Sequence, residues 1–436
     1  MKIYLVGGAV RDQLLGYPIK ERDWVVVGAK PEHLLGQGYQ QVGRDFPVFL
    51  HPTSREEYAL ARTERKQAPG YYGFQCDFNP NVSLKEDLIR RDLTINAMAM
   101  DVDGHLVDPY HGQADLEAKI LRHVSPAFVE DPVRVLRVAR FAARYYHLGF
   151  TLAQETCALM RSMVSNGELE HLIAERVWQE LHRSLDEKNP EIFFCTLRSC
   201  GALRVILPEL DRLFGVPSWR RYHPEVDTGV HTLMALCKAV MLSDDPMVRF
   251  AALLHDLGKG RTSISGWPAQ HGHEDLGLAV IEALCQRLRV PQQYRLFALM
   301  VSKFHLNIHR LSELRADTVV SILDRTDAFR RPGLFEKLLR ACEADSLGRG
   351  LHGVFPALPW FFPSSFDTVD VKKGSSVYQQ AQDWRAILTE CSKIKADALM
   401  AQGYEGKAIK LGLHQRRVAC VGEMRTTSGN YSSPGA

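Results

Sequence analysis

No uninterrupted run in this sequence is long and apolar enough to span a membrane, and residues 1–2 lead straight into a strand-like segment rather than a signal peptide. The nine cysteines include no CxxC pair, which argues against a disulfide framework or a structural zinc and for a reducing cytoplasm. An excess of one charge is lacking too. A net +3 neither demands nor excludes nucleic acid, because binding depends on where charge is concentrated. What remains is an ordinary globular composition, 45% hydrophobic and 24% charged, over a length sufficient for two or three domains. Composition stops at an enzyme or a binding protein, so motifs must discriminate.

The most informative stretch is residues 2–28, KIYLVGGAVRDQLLGYPIKERDWVVVG. Ile3 to Val6 is a β-branched, apolar run of strand length, and Gly7 and Gly8 allow a sharp turn and close approach to a ligand. Residues 9–15 have helical spacing, ended by Gly16 and Pro18. Glu21 and Asp23 then lead into a second strand, where residues two apart share a face. Two carboxylates held together repel, and a divalent cation relieves the repulsion; Mg²⁺ prefers a few carboxylates plus substrate phosphates. The glycine turn, at Gly8, would offer backbone N–H groups to a triphosphate, with Arg11 as a charge partner. An ExD in a strand alone is usually an exposed hairpin face, but the full order of strand, Gly-Gly, Arg-Asp, ExD and strand is far more specific.

Further along, residues 43–51 and 56–62 read as strands, and residues 63–83 read as a loop without periodicity. In residues 84–101, Leu84, Leu88, Ile95 and Met98 fall on roughly one helical face, and Arg91 could reach a triphosphate with Asp92 orienting it. Asp131 and Pro132 open a helix carrying Arg134, Arg137, Arg140 and Arg144 on one face. Such a stripe repels itself unless salt bridges or an anion neutralise it, and beside a carboxylate pair a nucleoside triphosphate is the better candidate.

GGAVRD followed by ERD resembles the nucleotidyltransferases of the polymerase β superfamily and, within them, the bacterial CCA-adding enzymes. The resemblance continues through RRDLTINAMAMD (residues 90–101), DPYHG (108–112) and EDPVRVLRVARFAARY (130–145) and covers much of the rest of the chain. Glu21 stands where many members have Asp, and a glutamate still supplies a carboxylate. The resemblance implies the multifunctional type: CCA addition to tRNA from CTP and ATP with Mg²⁺ on Glu21 and Asp23. It implies that Arg91 contacts triphosphate, that Asp131 and Arg134 read the incoming base, and that Arg137 and Arg140 face the phosphates. A carboxylate accepts from an exocyclic amino group and a guanidinium donates to ring acceptors, so the chemistry suits C and A and not U.

In the second half, His231 lies in a helical stretch and His255-Asp256 ends an apolar helix before LGKG. Histidine and carboxylate together suit Mn, Ni, Co, Fe or Zn, nickel included, without choosing among them. The order H…HD…D resembles the HD-domain phosphohydrolases, with His231, His255, Asp256 and Asp345 in the matching positions. Asp345 is placed only as the acid of a helical CEADSLGR, while His271, His273 and His305 could extend the site or lie on the surface. The resemblance implies cyclic phosphodiesterase and phosphatase activity.

The expectation is an α+β chain: a nucleotidyltransferase domain with a small mixed sheet (1–124), a helical recognition and neck region (125–215), an HD domain (220–350) and a helical tRNA-contacting region (351–436). Residues 407–421 are basic on one side, the tail from Thr426 reads as disordered, and the aromatic, proline-rich residues 353–366 have no assigned role. Partners would be tRNA, ATP and CTP, not membrane, with the protein monomeric or weakly self-associating. Rivals are a poly(A) polymerase, which has no need of the histidine–aspartate cluster, and an RNA-binding or nucleotide-sensing protein with only the HD half active.

Overall fold

A computed structural model describes residues 1–19, 21–42, 48–66, 74–221, 223, 226–349 and 377–428. They fall into two compact units, Met1–Ile206 and Leu207–Ala436.

The first unit begins β1 (Lys2–Val6), α1 (Gly8–Leu14), β2 (Asp23–Val27), α2 (Pro31–Gly36), β3 (Gln40–Val42), β4 (Val48–Leu50) and β5 (Glu57–Leu60). It continues with β6 (Thr63–Lys66), β7 (Phe74–Asp77), α3 (Leu84–Ile89), β8 (Ala99–Met100), β9 (Leu106–Val107), α4 (Gly112–Glu117) and β10 (Ile120–Leu121). Then come α5 (Val133–Tyr145), β11 (Thr151–Leu152), α6 (Gln154–Ser165), α7 (Ala174–Leu185), α8 (Pro190–Ser199) and α9 (Ala202–Ile206). Seven strands form one mixed sheet in the order β3-β4-β5-β2-β1-β8-β9, in which β2 and β5 are parallel and β1 pairs antiparallel with β2 and β8. Strand alternation explains why both faces are covered. Val25 packs with Val6, Leu88 and Ala99, whereas its neighbour Val26 packs with Leu34, Phe49 and Leu60.

Two expectations need correction. Residues 63–83 are not all loop: β6 and β7 pair antiparallel from Thr63↔Asp77 to Lys66↔Phe74. A two-stranded ladder needs only backbone pairing, which hydrophobic periodicity does not report. Nor do Leu84, Leu88, Ile95 and Met98 share one helix, since α3 ends at Ile89 and a short 3₁₀ turn spans Thr94–Asn96. Asp92 explains the break, because its carboxylate accepts from the Leu93 N–H at 2.8 Å while Thr94 N–H donates to the Arg122 carbonyl at 2.9 Å. These bonds satisfy the backbone outside a helix. The strand expected over residues 43–51 is present at Val48–Leu50, with residues 43–47 outside the described set.

The second unit is helical among the described residues: α10 (Pro208–Asp211), α11 (Thr228–Leu242), α12 (Pro246–Leu254), α13 (His273–Arg287), α14 (Gln292–His309), α15 (Ala316–Arg325), α16 (Pro332–Gly348), α17 (Gln379–Ser392), α18 (Asp397–Met400) and α19 (Lys407–Ser428). Asp227 and Asp245 cap α11 and α12 by accepting from Val230 and Met247 N–H at 2.8 Å each. Gly348 lets α16 run against α11, for a Cβ there would meet the Ala235 backbone at 2.9 Å. That contact is one turn from both His231 and Asp345. Gly258, read with the rest of LGKG as ending the helix of His255-Asp256, instead lies within a 3₁₀ turn over Leu257–Arg261, α12 having stopped at Leu254. It also admits α13, since a Cβ there would collide with the His273 carbonyl. The helix α19 includes Thr426 and reaches Ser428, past the expected start of the disordered tail, and Arg425 donates to the Leu314 and Leu311 carbonyls. The stretch 353–366 lies outside the described residues. No helix among those described is long and apolar enough to cross a membrane.

Candidate active sites

Asp23 pairs in register with Val6, the last residue of β1, so the carboxylate and the glycine turn occupy the same end of the sheet. Gly7 has φ +68°, where L side chains are strained, and a Cβ on it would lie 2.8 Å from the Arg91 guanidinium. The turn therefore requires glycine twice over. Glu21 and Asp23 are both exposed. Partial loss of water raises the Asp23 carboxyl above its ordinary range, Arg91 opposes this, and the nearby Glu21 charge adds to it. Two like charges beside one guanidinium, open to solvent, are suited to a hard divalent cation plus phosphate.

Arg91 pairs with the buried Asp87 at 3.4 Å, while its Nε is buried without a hydrogen bond. Asp92, expected to orient Arg91, instead takes Arg137 at 2.7 Å and accepts from Asn96 at 2.9 Å. Burial works against the Asp92 charge, but Arg137 and these hydrogen bonds hold the carboxyl well below the usual range. Arg11 is buried, donating to Asp12 through Nε and Nη2 at 2.9 and 2.7 Å and to Asn96 at 2.5 Å. Gly8 starts α1 beside it, with the Arg11 guanidinium 3.3 Å from where a Cβ would stand.

The arginine stripe of α5 is neutralised within the unit. Arg134 is buried and donates to the Ala127 and Arg90 carbonyls at 2.5 Å each. Arg137 meets Glu180 at 3.9 Å as well as Asp92; Arg140 meets Glu180 at 2.6 Å and Glu187 at 3.9 Å; Arg144 meets Asp12 at 3.4 Å. Asp131 accepts from Val133 N–H at 3.1 Å, capping α5, and binds the Arg176 fork at 3.1 and 2.8 Å. Sequence reasoning gave no role to Asp12, although it closes the GGAVRD motif, and left out Arg176, Glu180 and Glu187. Their signal is weak, because residues far apart in the chain meet one helix only after folding.

The second unit brings His231, His255, Asp256 and Asp345 together. His231 Nε2 is 3.0 Å from Asp345 Oδ1, and His255 Nε2 is 3.7 Å from that oxygen and 3.3 Å from Asp256 Oδ2. All four residues are buried. His255 Nε2 and Asp256 Oδ1 have no hydrogen bond, although nitrogen and oxygen atoms lie near them. Buried donors and acceptors left unmatched in this way, on imidazoles and carboxylates, fit a divalent transition metal. Burial works against charge on His255, yet Asp256 and Asp345 push it up to about 9. Burial is likewise outweighed at Asp256 by His255 and Lys259, and at Asp345 by Arg349 and His309, so both carboxyls lie well below the usual range.

Three further histidines join the centre. His273 Nε2 is 3.2 Å and His305 Nε2 3.8 Å from Asp256 Oδ1, and His309 Nε2 is 2.6 Å from Asp345 Oδ2. His309 was not foreseen, though it lies four residues after His305 on one face of α14. His271, in contrast, is exposed.

Residues 3–122 match the Poly A polymerase head domain, 149–214 a family described as probable RNA and SrmB-binding site of polymerase A, and 228–331 the HD domain. A protein of Legionella pneumophila (strain Paris) named multifunctional CCA protein is 61% identical over 427 residues, covering 98% of both chains. One of the same name from Thioalkalivibrio sulfidiphilus is 56% identical over 98% of this chain and all of its own. The chain belongs to the multifunctional CCA protein family. The fold of CCA-adding enzymes agrees: a solved apo structure of one superposes with a TM-score of 0.61 at 20% identity, covering 96% of this chain and 88% of the other. In this chain the stretch that matches the head domain contains the carboxylate pair, and the stretch that matches the HD domain contains His231, His255 and Asp256.

Proposed function

We propose that this protein adds CCA to tRNA 3′ ends from CTP and ATP, and that its HD centre hydrolyses phosphomonoesters and 2′,3′-cyclic phosphodiesters. The observation carrying this is 61% identity over 98% of the chain to a relative whose name states CCA. In this reading residues 1–124 form the transferase domain, 125–215 the recognition and neck region, 220–350 the HD domain and 351–436 the tRNA-contacting end. The protein works in the cytoplasm as a monomer or weak homo-oligomer.

Glu21 and Asp23 would hold Mg²⁺, and their exposure leaves coordination positions for phosphate oxygens. When bound, Mg²⁺ activates the tRNA 3′ hydroxyl and neutralises the departing pyrophosphate. Arg91, beside the glycine turn and Asp23, receives the triphosphate at Gly8. Arg137 extends this positive surface, being the more exposed of the two arginines that share Glu180. Arg11 and Arg140, being buried and paired, position their neighbours and the helix and do so through charge rather than open contact. Asp131 and Arg134 select the base. Arg176 fixes the plane of the Asp131 carboxylate and Arg134 is held by two carbonyls, so both are preorganised before nucleotide arrives. In the second unit, His231, His255, Asp256 and Asp345 would hold a divalent transition metal, with nickel a candidate, that polarises phosphate oxygens and activates water.

The test is incubation with Mg²⁺ and tRNA lacking its 3′ CCA, with CTP, ATP or both. Two additions from CTP alone and a third requiring ATP are expected. A long ladder from ATP alone would make the protein a poly(A) polymerase, and no incorporation from either would leave only the HD half active.

A further inference from the structure

The carboxylate of Asp345 divides its two oxygens between different partners. Oδ1 lies 3.0 Å from His231 Nε2 and 3.7 Å from His255 Nε2, both proposed metal ligands. Oδ2 lies 2.6 Å from His309 Nε2, and the other ring nitrogen of His309, Nδ1, is 2.6 Å from the Tyr378 hydroxyl. Arg349 Nη2 spans both oxygens at 3.2 and 3.4 Å. A carboxylate only accepts, so His309 Nε2 carries a proton; in the neutral ring Nδ1 is then a bare lone pair to which the phenol donates. Tyr378, His309 and Asp345 thus form a directed line of hydrogen bonds that ends on Oδ2.

Tyr378 stands outside the stretch that matches the HD domain and beyond residues 220–350, which were expected to contain the hydrolase. It is nevertheless only 5% exposed, and its ring lies 5.7 Å from that of His309 at 73°. Tyr378 immediately precedes α17, and α17 grips the same point of α14 a second time. Trp384, fully buried, donates from Nε1 to the Ile308 carbonyl at 3.1 Å. Arg385 ties α17 to α16 as well, its fork meeting Glu336 with two bonds of 2.8 Å. A phenol anchored in this way fixes the orientation of the His309 ring.

We infer that Tyr378 is a positioning residue of the HD centre, acting through His309 to fix the carboxylate of Asp345. This deepens the hydrolase reading and rests on it: Asp345 would be a metal ligand, and ligating carboxylates take their orientation from the hydrogen bonds behind them. Loss of such a partner lowers metal affinity or activity about 10- to 100-fold. Tyr378 belongs to the stretch expected to contact tRNA, so the hydrolase centre is completed by a residue of that stretch and not by residues 220–350 alone.

In the full-length protein Tyr378→Phe keeps the ring and removes only the hydroxyl. In metal-free protein labelled with ¹⁵N-histidine, the His309 imidazole should show a protonated Nε2 and a hydrogen-bonded Nδ1, and Tyr378→Phe should shift the Nδ1 resonance. His309→Gln assigns these signals by their disappearance. With Ni²⁺ and 2′,3′-cyclic AMP, Tyr378→Phe should raise the half-saturating Ni²⁺ concentration or lower kcat by about 10-fold, with KM and melting temperature unchanged. A lowered melting temperature with the His309 resonances in place would make Tyr378 a packing residue and overturn the proposal. So would nickel dependence and kcat in Tyr378→Phe equal to those of the wild type. If the wild type hydrolyses no 2′,3′-cyclic AMP, the hydrolase reading falls, and the metal-free spectra with a calorimetric Ni²⁺ titration still decide whether Tyr378 positions Asp345.

Discussion

The two candidate sites treat charge in opposite ways. Around α5 every arginine of the stripe has a partner: Asp12, Asp92, Glu180 and Glu187 neutralise three of them, and two carbonyls hold Arg134. The chain Arg11–Asn96–Asp92–Arg137–Glu180–Arg140 alternates donor and acceptor without a ligand. In the HD centre, imidazoles and carboxylates crowd together in the interior, and His255 Nε2 and Asp256 Oδ1 are left buried without a hydrogen bond. The first is a scaffold complete in itself that presents two exposed carboxylates at its edge. The second is a buried cluster of histidines and aspartates that keeps unmatched polar atoms at its centre.

The strongest way to break this comparison is to remove the edge and leave the scaffold intact. Glu21→Ala with Asp23→Ala should lower nucleotide incorporation by at least about 10³-fold, roughly 4 kcal/mol of barrier, while thermal stability stays near wild type because both residues are exposed. Phosphatase activity should persist. Joint loss of both activities, measured on one preparation, would argue against two separate sites.

The scaffold itself should fail at Glu180, which is 3% exposed and shared by Arg137 and Arg140. Glu180→Ala leaves two guanidiniums without it, the Arg140 side chain being only 8% exposed. Breaking a buried ion pair on one side costs about 3 kcal/mol or more. Urea unfolding should register that loss, with Glu180→Gln losing less because it still accepts hydrogen bonds. A change under about 0.5 kcal/mol would mean that the stripe is not held by this residue.

Stripping metal should act on the other side of the comparison. With chelator, amide exchange should accelerate in α11, α12 and α16, while β1, β2 and α5 stay unchanged. At a metal concentration 100 times the Kd, occupancy of one site stabilises by about 2.7 kcal/mol. Equal acceleration in both units would show that the difference between scaffold and cluster is not real.

What the sequence disclosed follows the same division. The β1–turn–β2 unit was legible because strand, double glycine and ExD lie within 28 residues, and local chemistry fixes their geometry. His255-Asp256 was legible for the same reason. Asp92 was paired with its neighbour Arg91 because adjacency is what a sequence shows, but the Asp92 carboxylate turns toward Arg137, 45 residues away. The acids that neutralise α5 come from positions 12, 92, 180 and 187, and no periodicity links them. Similarly, an anion seemed needed for the stripe because its internal partners are distant in the chain. The ribbon β6–β7 escaped because a backbone ladder leaves no hydrophobic pattern. That His273 and His305 reach Asp256 Oδ1 while His271 stays exposed is set by how the helices pack, which spacing along the chain does not show.

The smallest expected effect is on acid stability, and it sharpens the comparison by giving the scaffold a signature of its own. Burial would raise the carboxyls of Asp87 and Asp92, but Arg90 and Arg91 in one case and Arg137 in the other hold both below their ordinary value of 3.8. Below that value the unfolded chain takes up protons that the native carboxylates refuse. The stability these groups confer is therefore fully present above about pH 4 and is lost as pH falls toward their native values. Each contributes a slope of at most about 1.4 kcal/mol per pH unit. Urea midpoints of the first unit, followed by amide exchange, should be flat in this respect from pH 7 to 5 and fall from pH 4 to 2.5. Asp92→Asn should start less stable and fall less steeply, since the amide still meets Arg137 through its oxygen but no longer titrates. An undiminished slope in Asp92→Asn would assign the acid sensitivity to other carboxylates and remove Asp92 from the centre of the network.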